Sequence, residues 1–349
     1  MKTITEGKLK SFKNVSNDKG VITAAAMDQR GSLQKSIAKA KGVPDNQVTR
    51  AMMEEFKTIV TKVLTPHASA ILLDPEFGLP ASKARSKNAG LLLAYEKTGY
   101  DATMEGRIPD FLDGYSAKRL REEGADCVKV LLYYTPYDEP KVNAKKQEIM
   151  ERIGKECAEE DIAFFLEFVG YDPKSSTTDT LEYAKAKPEI VIKSMEEFSK
   201  PKYLVDVLKV EIPIDVKYLK GSKAYNGSQQ AYDWDQAKAL FKRQDKCTNL
   251  PFIYLSAGVS DEIFRENLEL AIEAGVDFAG VLCGRATWKD GIPVYAKEGG
   301  KALEAWMLDR GVKNIQALNA TLAKGAKPWY SRYGGLDKVQ CLKKTTTRS

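Results

Sequence analysis

Along the chain, short runs of aliphatic and β-branched residues alternate with longer polar segments whose apolar positions recur every three or four residues. The first pattern predicts buried strands and the second amphipathic helices. Val21–Asp28 is the first strand, and a helical pattern follows over Asn46–Leu64. Ser69–Pro75, closed by a proline, is the second, and Gly90–Tyr95 is a third with its helix over Ser116–Glu123. Cys127–Tyr134 is the fourth, followed by a helix over Asn143–Glu160. Ile162–Phe168 is the fifth, leading through a polar connection into two helices, Thr178–Ala186 and Pro188–Phe198. Tyr203–Pro213 reads as the sixth strand, with a helix over Trp234–Lys246. Phe252–Ser256 with Glu262–Ala274, and Phe278–Cys283 with Gly300–Lys324, complete the series.

Eight strands alternating with helices are the count of a single α/β domain of the (β/α)8 TIM-barrel type; the rival is an open doubly wound sheet. That rival usually carries a glycine-rich first turn. Here the first turn is Asp28-Gln29-Arg30-Gly31, not GxGxxG, and no Walker A sequence occurs. The expected organisation is therefore one barrel over residues 1–325 and a short C-terminal extension over residues 326–349, ending in a solvated basic tail. In that extension, Trp329, Tyr330 and Tyr333 are expected to pack onto the barrel.

Composition narrows the function more than the fold. With 349 residues, 43% of them hydrophobic and 29% charged, the chain can bury a sizeable core. The net charge of +6 is spread along the sequence, which favours an anionic small ligand over nucleic acid. No apolar run reaches the roughly 18 residues of a membrane span, and the opening Met1-Lys2-Thr3-Ile4-Thr5-Glu6 has no signal-peptide core, so a cytoplasmic protein is expected. The 5 cysteines form no CxxC and read as reduced thiols. His67 is the only histidine, which removes zinc sites built on two or three histidines and any triad that cannot use it. It precedes strand two, at the end of a barrel opposite to the usual site, and is expected to be structural.

In such barrels the chemistry sits at the carboxyl ends of the strands. In strand six, side-chain alternation puts Val207, Lys209 and Glu211 on one face and Leu208, Val210 and Ile212 on the other. Strands four and five add Lys129 and Glu167, so three adjacent strands offer Lys, Glu and Lys to one mouth. An ordinary lysine, with a pKa of about 10.4, is almost never neutral at pH 7. A low-dielectric cup holding two ammonium groups and a carboxylate pushes the two lysines apart, so that one can act as a neutral nucleophile while the other stays charged. A buried structural Lys–Glu–Lys ion network is the other reading.

Ser256-Ala257-Gly258 after strand seven and Gly284-Arg285 after strand eight suit a phosphate: glycines admit an anion to backbone N–H groups, and Arg285 adds charge. Tight turns are the plainer alternative. Asp28, Gln29 and Arg30 end strand one; Asp28 fits either a magnesium ligand or an orienter of a substrate hydroxyl, and Arg30 either an anion contact or an acidic loop partner.

Taken together, Met27-Asp28-Gln29-Arg30-Gly31, Val128-Lys129-Val130-Leu131, Phe165-Leu166-Glu167, Asp206-Val207-Leu208-Lys209-Val210-Glu211, Tyr254-Leu255-Ser256-Ala257-Gly258-Val259 and Leu282-Cys283-Gly284-Arg285-Ala286-Thr287-Trp288 resemble the class I tagatose-bisphosphate aldolase family, in order from about residue 10 to about residue 325. The resemblance implies that Lys209 forms a Schiff base, that Glu167 is its proton-transfer partner, and that Asp28 and Lys129 are active-site residues. It implies phosphate contacts from Ser256, Gly258, Gly284 and Arg285, with Gln29 and Arg30 also in the site. It further implies a phosphorylated ketohexose substrate, no cofactor or metal, no nucleic-acid or membrane partner, and a homo-oligomer, dimer or tetramer. The sulfofructose-phosphate aldolases share the lysine and Asp-Gln-Arg signatures and give one alternative; a non-catalytic sugar-phosphate sensor gives another.

Overall fold

A computed structural model describes residues 2–97, 105–175, 177–225, 227 and 229–343. The end of the basic tail, residues 344–349, lies outside the described residues. Eight parallel strands close into a barrel: β1 (Ile22–Met27), β2 (Ala70–Leu73), β3 (Gly90–Ala94), β4 (Cys127–Tyr133), β5 (Ala163–Val169), β6 (Val207–Val210), β7 (Phe252–Leu255) and β8 (Gly280–Cys283). Closure is made where β1 pairs with both β2 and β8. At that seam Gly280 lies so close to β1 that a Cβ would sit 1.9 Å from the Ile22 carbonyl oxygen, so only glycine fits.

The alternation of each strand produces two cores. Outward residues such as Val128, Val130, Phe164, Leu166, Leu208 and Val210 are packed beneath the surrounding helices. Inward residues, among them Ala24, Leu72, Leu92, Phe165, Val207 and Leu282, fill the barrel axis. Small alanines alternate with large Phe and Leu there, which lets side chains from all round the barrel interdigitate without a pore.

The amino-terminal end of this inner core is sealed by a helix that the hydrophobic pattern does not reveal, α1 (Glu6–Val15). Phe12 and Val15 of α1 enter the inner core, and Trp329 stacks on Phe12 with ring centroids 4.3 Å apart. Short strands Lys2–Thr5 and Val339–Leu342 pair in parallel, tying the two ends of the described chain together. His67 lies at this end, ahead of β2, where its carbonyl accepts a hydrogen bond of 2.7 Å from Asn319.

Helices follow the strands largely where periodicity places them, with instructive differences. A further helix, α2 (Gly31–Lys41), precedes α3 (Arg50–Leu64), so the first connection holds two helices. Short helices Arg285–Trp288 and Ile292–Glu298 follow β8 before the closing helical run over residues 300–323. The two helices expected to break at Pro188 are one helix, Leu181–Phe198. Proline removes the hydrogen bond to the carbonyl four residues back, that of Ala184; the Tyr232 hydroxyl donates to this carbonyl instead, and the helix continues. The sixth strand is shorter than its apolar run: Pro201–Tyr203 is a 3-10 turn and Leu204 takes a left-handed backbone, so only Val207–Val210 pairs.

Candidate active site

Register decides which strand-end residues meet. Glu167 of β5 is the direct partner of Leu131 on β4 and of Lys209 on β6. Lys129 stands two residues before Leu131, on the same inward face, and its amine rises to the same carboxylate. Glu167 Oε2 lies 2.8 Å from Lys209 Nζ and 2.8 Å from Lys129 Nζ, so one oxygen is shared by two amines. Lys129 Nζ also meets Asp28 Oδ2 at 2.9 Å and Glu96 Oε1 at 2.7 Å. Its side chain is 0% exposed, and that of Lys209 5%.

Such burial penalises every charge, and the pairing decides the outcome for each. Burial alone would lower the Lys129 amine, yet Asp28, Glu167 and Glu96 outweigh it and hold the lysine charged, well above its ordinary range. For Asp28 and Glu167 burial raises the carboxyl, but Lys129 and Lys209 reverse the sign and keep both below the usual carboxylate range. Glu96 goes the other way: burial raises its carboxyl and wins over Lys129 and Arg30. Lys129 is thus held as an ammonium.

Asp28, Glu96, Glu167 and Lys209 line a cavity of about 590 Å³ at the carboxyl end of the barrel. One part of its wall is formed by the loops after β7 and β8. Ala257 and Gly258 are both left-handed, with φ of 48° and 79°, and a Cβ on Gly258 would stand 2.9 Å from the Arg285 guanidinium carbon. The left-handed backbone calls for the glycine, and its missing Cβ leaves room for the Arg285 guanidinium against the loop. Lys289 donates to the Gly258 carbonyl at 3.1 Å, Ser256 is buried beside it, and Gly284 faces the cavity.

Another part of the wall comes from the end of β1. Arg30 is 3% exposed, and its Nη2 donates to the Glu96 carbonyl at 2.8 Å. Its Nε and Nη1 make no hydrogen bond with the described residues, and the Glu76 carboxylate is 4.0 Å from Nη1. Gln29 donates to Asp28 at 3.2 Å while its own Oε1 is buried without a partner. Buried polar groups are ordinarily satisfied, so this turn holds two donors of Arg30 and one acceptor of Gln29 in reserve.

All ten residues singled out from the sequence, Asp28, Gln29, Arg30, Lys129, Glu167, Lys209, Ser256, Gly258, Gly284 and Arg285, lie on or directly behind this cavity, with Lys129 behind Glu167. Glu211 stands higher, at the rim, accepting from the Gly170 amide at 2.8 Å and pairing with Lys187 at 3.3 Å. Glu96 is the residue that sequence reasoning missed. It follows Tyr95 at the end of β3, and the rule that strand ends carry the chemistry would have found it.

A family profile described as "DeoC/LacD family aldolase" matches residues 22–290, which includes all ten of these positions. The chain belongs to this aldolase family. Members of it include a tagatose 1,6-diphosphate aldolase of Listeria innocua, 48% identical over 99% of this chain and 100% of that protein. Tagatose 1,6-diphosphate aldolase 2 of Enterococcus faecalis is 50% identical over 95% of this chain and 98% of its own length. The aldolase barrel is also found at much lower identity. A fructose-bisphosphate aldolase of Plasmodium falciparum superimposes with a TM-score of 0.66 at 16% identity, covering 91% of this chain and 94% of that one. A Schiff-base-forming fructose-1,6-bisphosphate aldolase does so with a TM-score of 0.53 at 15% identity, over 89% and 97%. These two share the fold.

Proposed function

We propose that the protein is a class I aldolase that cleaves tagatose 1,6-bisphosphate, and its C4 epimer fructose 1,6-bisphosphate, to dihydroxyacetone phosphate and glyceraldehyde 3-phosphate. The observation that carries this reading is the shared Glu167 oxygen, 2.8 Å from Lys209 and 2.8 Å from a Lys129 held charged by three carboxylates. The names of the relatives support the bisphosphate over a sulfosugar phosphate.

In this mechanism the free amine of Lys209 attacks the C2 ketone, and the carbinolamine loses water to give an iminium. The iminium withdraws the electron pair of the C3–C4 bond as that bond breaks, leaving an enamine on C2–C3. The proton of the C4 hydroxyl passes to Glu167, and the aldehyde half departs. Protonation at C3 returns the iminium, and water releases dihydroxyacetone phosphate and Lys209. Lys129 and Asp28 hold Glu167 and the charge balance of the floor in place while protons move. The loops carrying Ser256, Gly258, Gly284 and Arg285 take the phosphate of the ketone half, and Gln29 and Arg30 the phosphate of the aldehyde half. No step calls on a cofactor or metal.

Reduction with borohydride in the presence of dihydroxyacetone phosphate, followed by peptide mapping, should trap an adduct on Lys209. Binding of the ligand without any reducible adduct would overturn the reading in favour of a sugar-phosphate sensor. The same proposal includes a cytoplasmic location, in keeping with the absence, among the described residues, of a helix long and apolar enough to cross a membrane. It also includes an assembly of two or four copies, which sedimentation would measure.

A further inference from the structure

Lys57 of α3 is fully buried, lines no part of the cavity, and takes no part in the chemistry above. Its Nζ donates to the Met27 carbonyl at 2.6 Å, the Gln29 carbonyl at 2.8 Å and Asp74 Oδ2 at 2.5 Å. An ammonium has three N–H donors, and all three are engaged. The two carbonyls are those on either side of Asp28. A single buried cation therefore grips the backbone from both sides of the residue that contacts Lys129, and does so where β1 gives way to the turn.

The other end of the grip is also fixed. Asp74 directly follows β2, is fully buried, and accepts the Phe77 amide at 2.8 Å through its second oxygen. A buried ion pair is weak evidence for stability, because apolar residues of the same volume fill such a space as well or better. What an apolar residue cannot do is hold two carbonyls. Asp28, Gln29 and Arg30 gain from that grip, since among the described residues Arg30 Nε and Nη1 and Gln29 Oε1 have no hydrogen-bond partner to fix them.

We propose that Lys57, fixed by Asp74, is a positioning residue that sets the Asp28-Gln29-Arg30 turn in the geometry needed to receive the aldehyde half of the substrate. This rests on the aldolase reading. Lys57 also adds, after burial and the pull of Lys129 and Lys209, to the forces on the Asp28 carboxyl.

The test compares two readouts that depend differently on this turn. Trapping dihydroxyacetone phosphate on Lys209 uses β6 and the loops after β7 and β8, whereas cleavage of the bisphosphate also needs the turn. Lys57→Met alone strands the Asp74 charge, so the double variant Lys57→Met with Asp74→Asn, which carries neither charge, is the main probe. With a fold confirmed by circular dichroism, its kcat/KM on tagatose 1,6-bisphosphate should fall about tenfold to a hundredfold, the scale of a small misplacement of a reacting group. KM should rise within that loss, and trapping of dihydroxyacetone phosphate should change by less than about threefold. If the double variant does not fold, Asp74→Asn alone keeps the Phe77 contact and should show the same split at smaller size. Equal losses in both readouts, or none in either, overturn the assignment. Failure of the unaltered protein to trap dihydroxyacetone phosphate sinks the aldolase reading instead.

Discussion

Two layers of one barrel, two residues apart on the same strands, have opposite character. In the lower layer the inward side chains are Cys127, Phe165 and Val207, all buried in the inner core. In the upper layer, on the same face of the same strands, they are Lys129, Glu167 and Lys209. The lower layer is closed beneath by Phe12 and Trp329, so no water reaches the charges from below. The comparison teaches what the apolar floor does: it lowers the local dielectric, makes every ion contact above it count for more, and forces the carboxylates and lysines to hold one another.

The largest effect should come from removing the upper-layer lysine proposed as the nucleophile. Lys209→Met should cut turnover by at least about 10⁴-fold, as for loss of a covalent catalytic residue, with the circular dichroism spectrum unchanged. Near-normal cleavage would end the Schiff-base account. The lower layer should respond in the opposite sense. Phe12→Ala should destabilise the fold by about 3–5 kcal/mol in urea unfolding and leave kcat within about twofold at temperatures where the variant is folded. A matching collapse of kcat in folded protein would mean that the two layers are not separable.

A smaller effect sharpens the comparison between two fully buried lysines, Lys129 and Lys146. Lys129 has three carboxylates and is held charged. Lys146, also fully buried, has the Tyr171 hydroxyl at 2.8 Å and Asp138 at 3.7 Å, and burial brings its amine down to about 8 against the opposing pull of Asp138. Between that value and the ordinary lysine range the unfolded chain binds the extra proton, so stability from this group rises with pH. Relative to Lys146→Met, the unaltered protein should gain up to about 2 kcal/mol between pH 8 and pH 9.5. The raised Lys129 has the reverse sign, its contribution lasting until the pH climbs through its folded value, so it stays constant over that window. Parallel pH profiles for the protein and Lys146→Met would remove the contrast.

Local pattern reached a long way into this molecule because a barrel strand repeats one simple rule, side chains in and out by turns. That rule placed Lys209 inward and Leu208 and Val210 outward without any knowledge of neighbours. It misjudged Tyr203–Leu204, whose apolar side chains suit a strand but whose backbone turns. It also split a helix at Pro188, because the compensating donor, Tyr232, lies 44 residues further on. The missing α1 has the same origin: its apolar residues are few, and their value comes from the barrel end they close.

The sequence by itself determined the alternation of strands and helices, the inward face of each strand and the glycine loops after β7 and β8, since each follows from periodicity or from backbone freedom within a few residues. Only the tertiary structure decided that Glu167 stands against both Lys129 and Lys209, that Glu96 joins them, and that Lys57 reaches the carbonyls on either side of Asp28. These are contacts between strands and helices far apart in the chain. Strand register and barrel closure bring them together, and burial then fixes which groups carry charge.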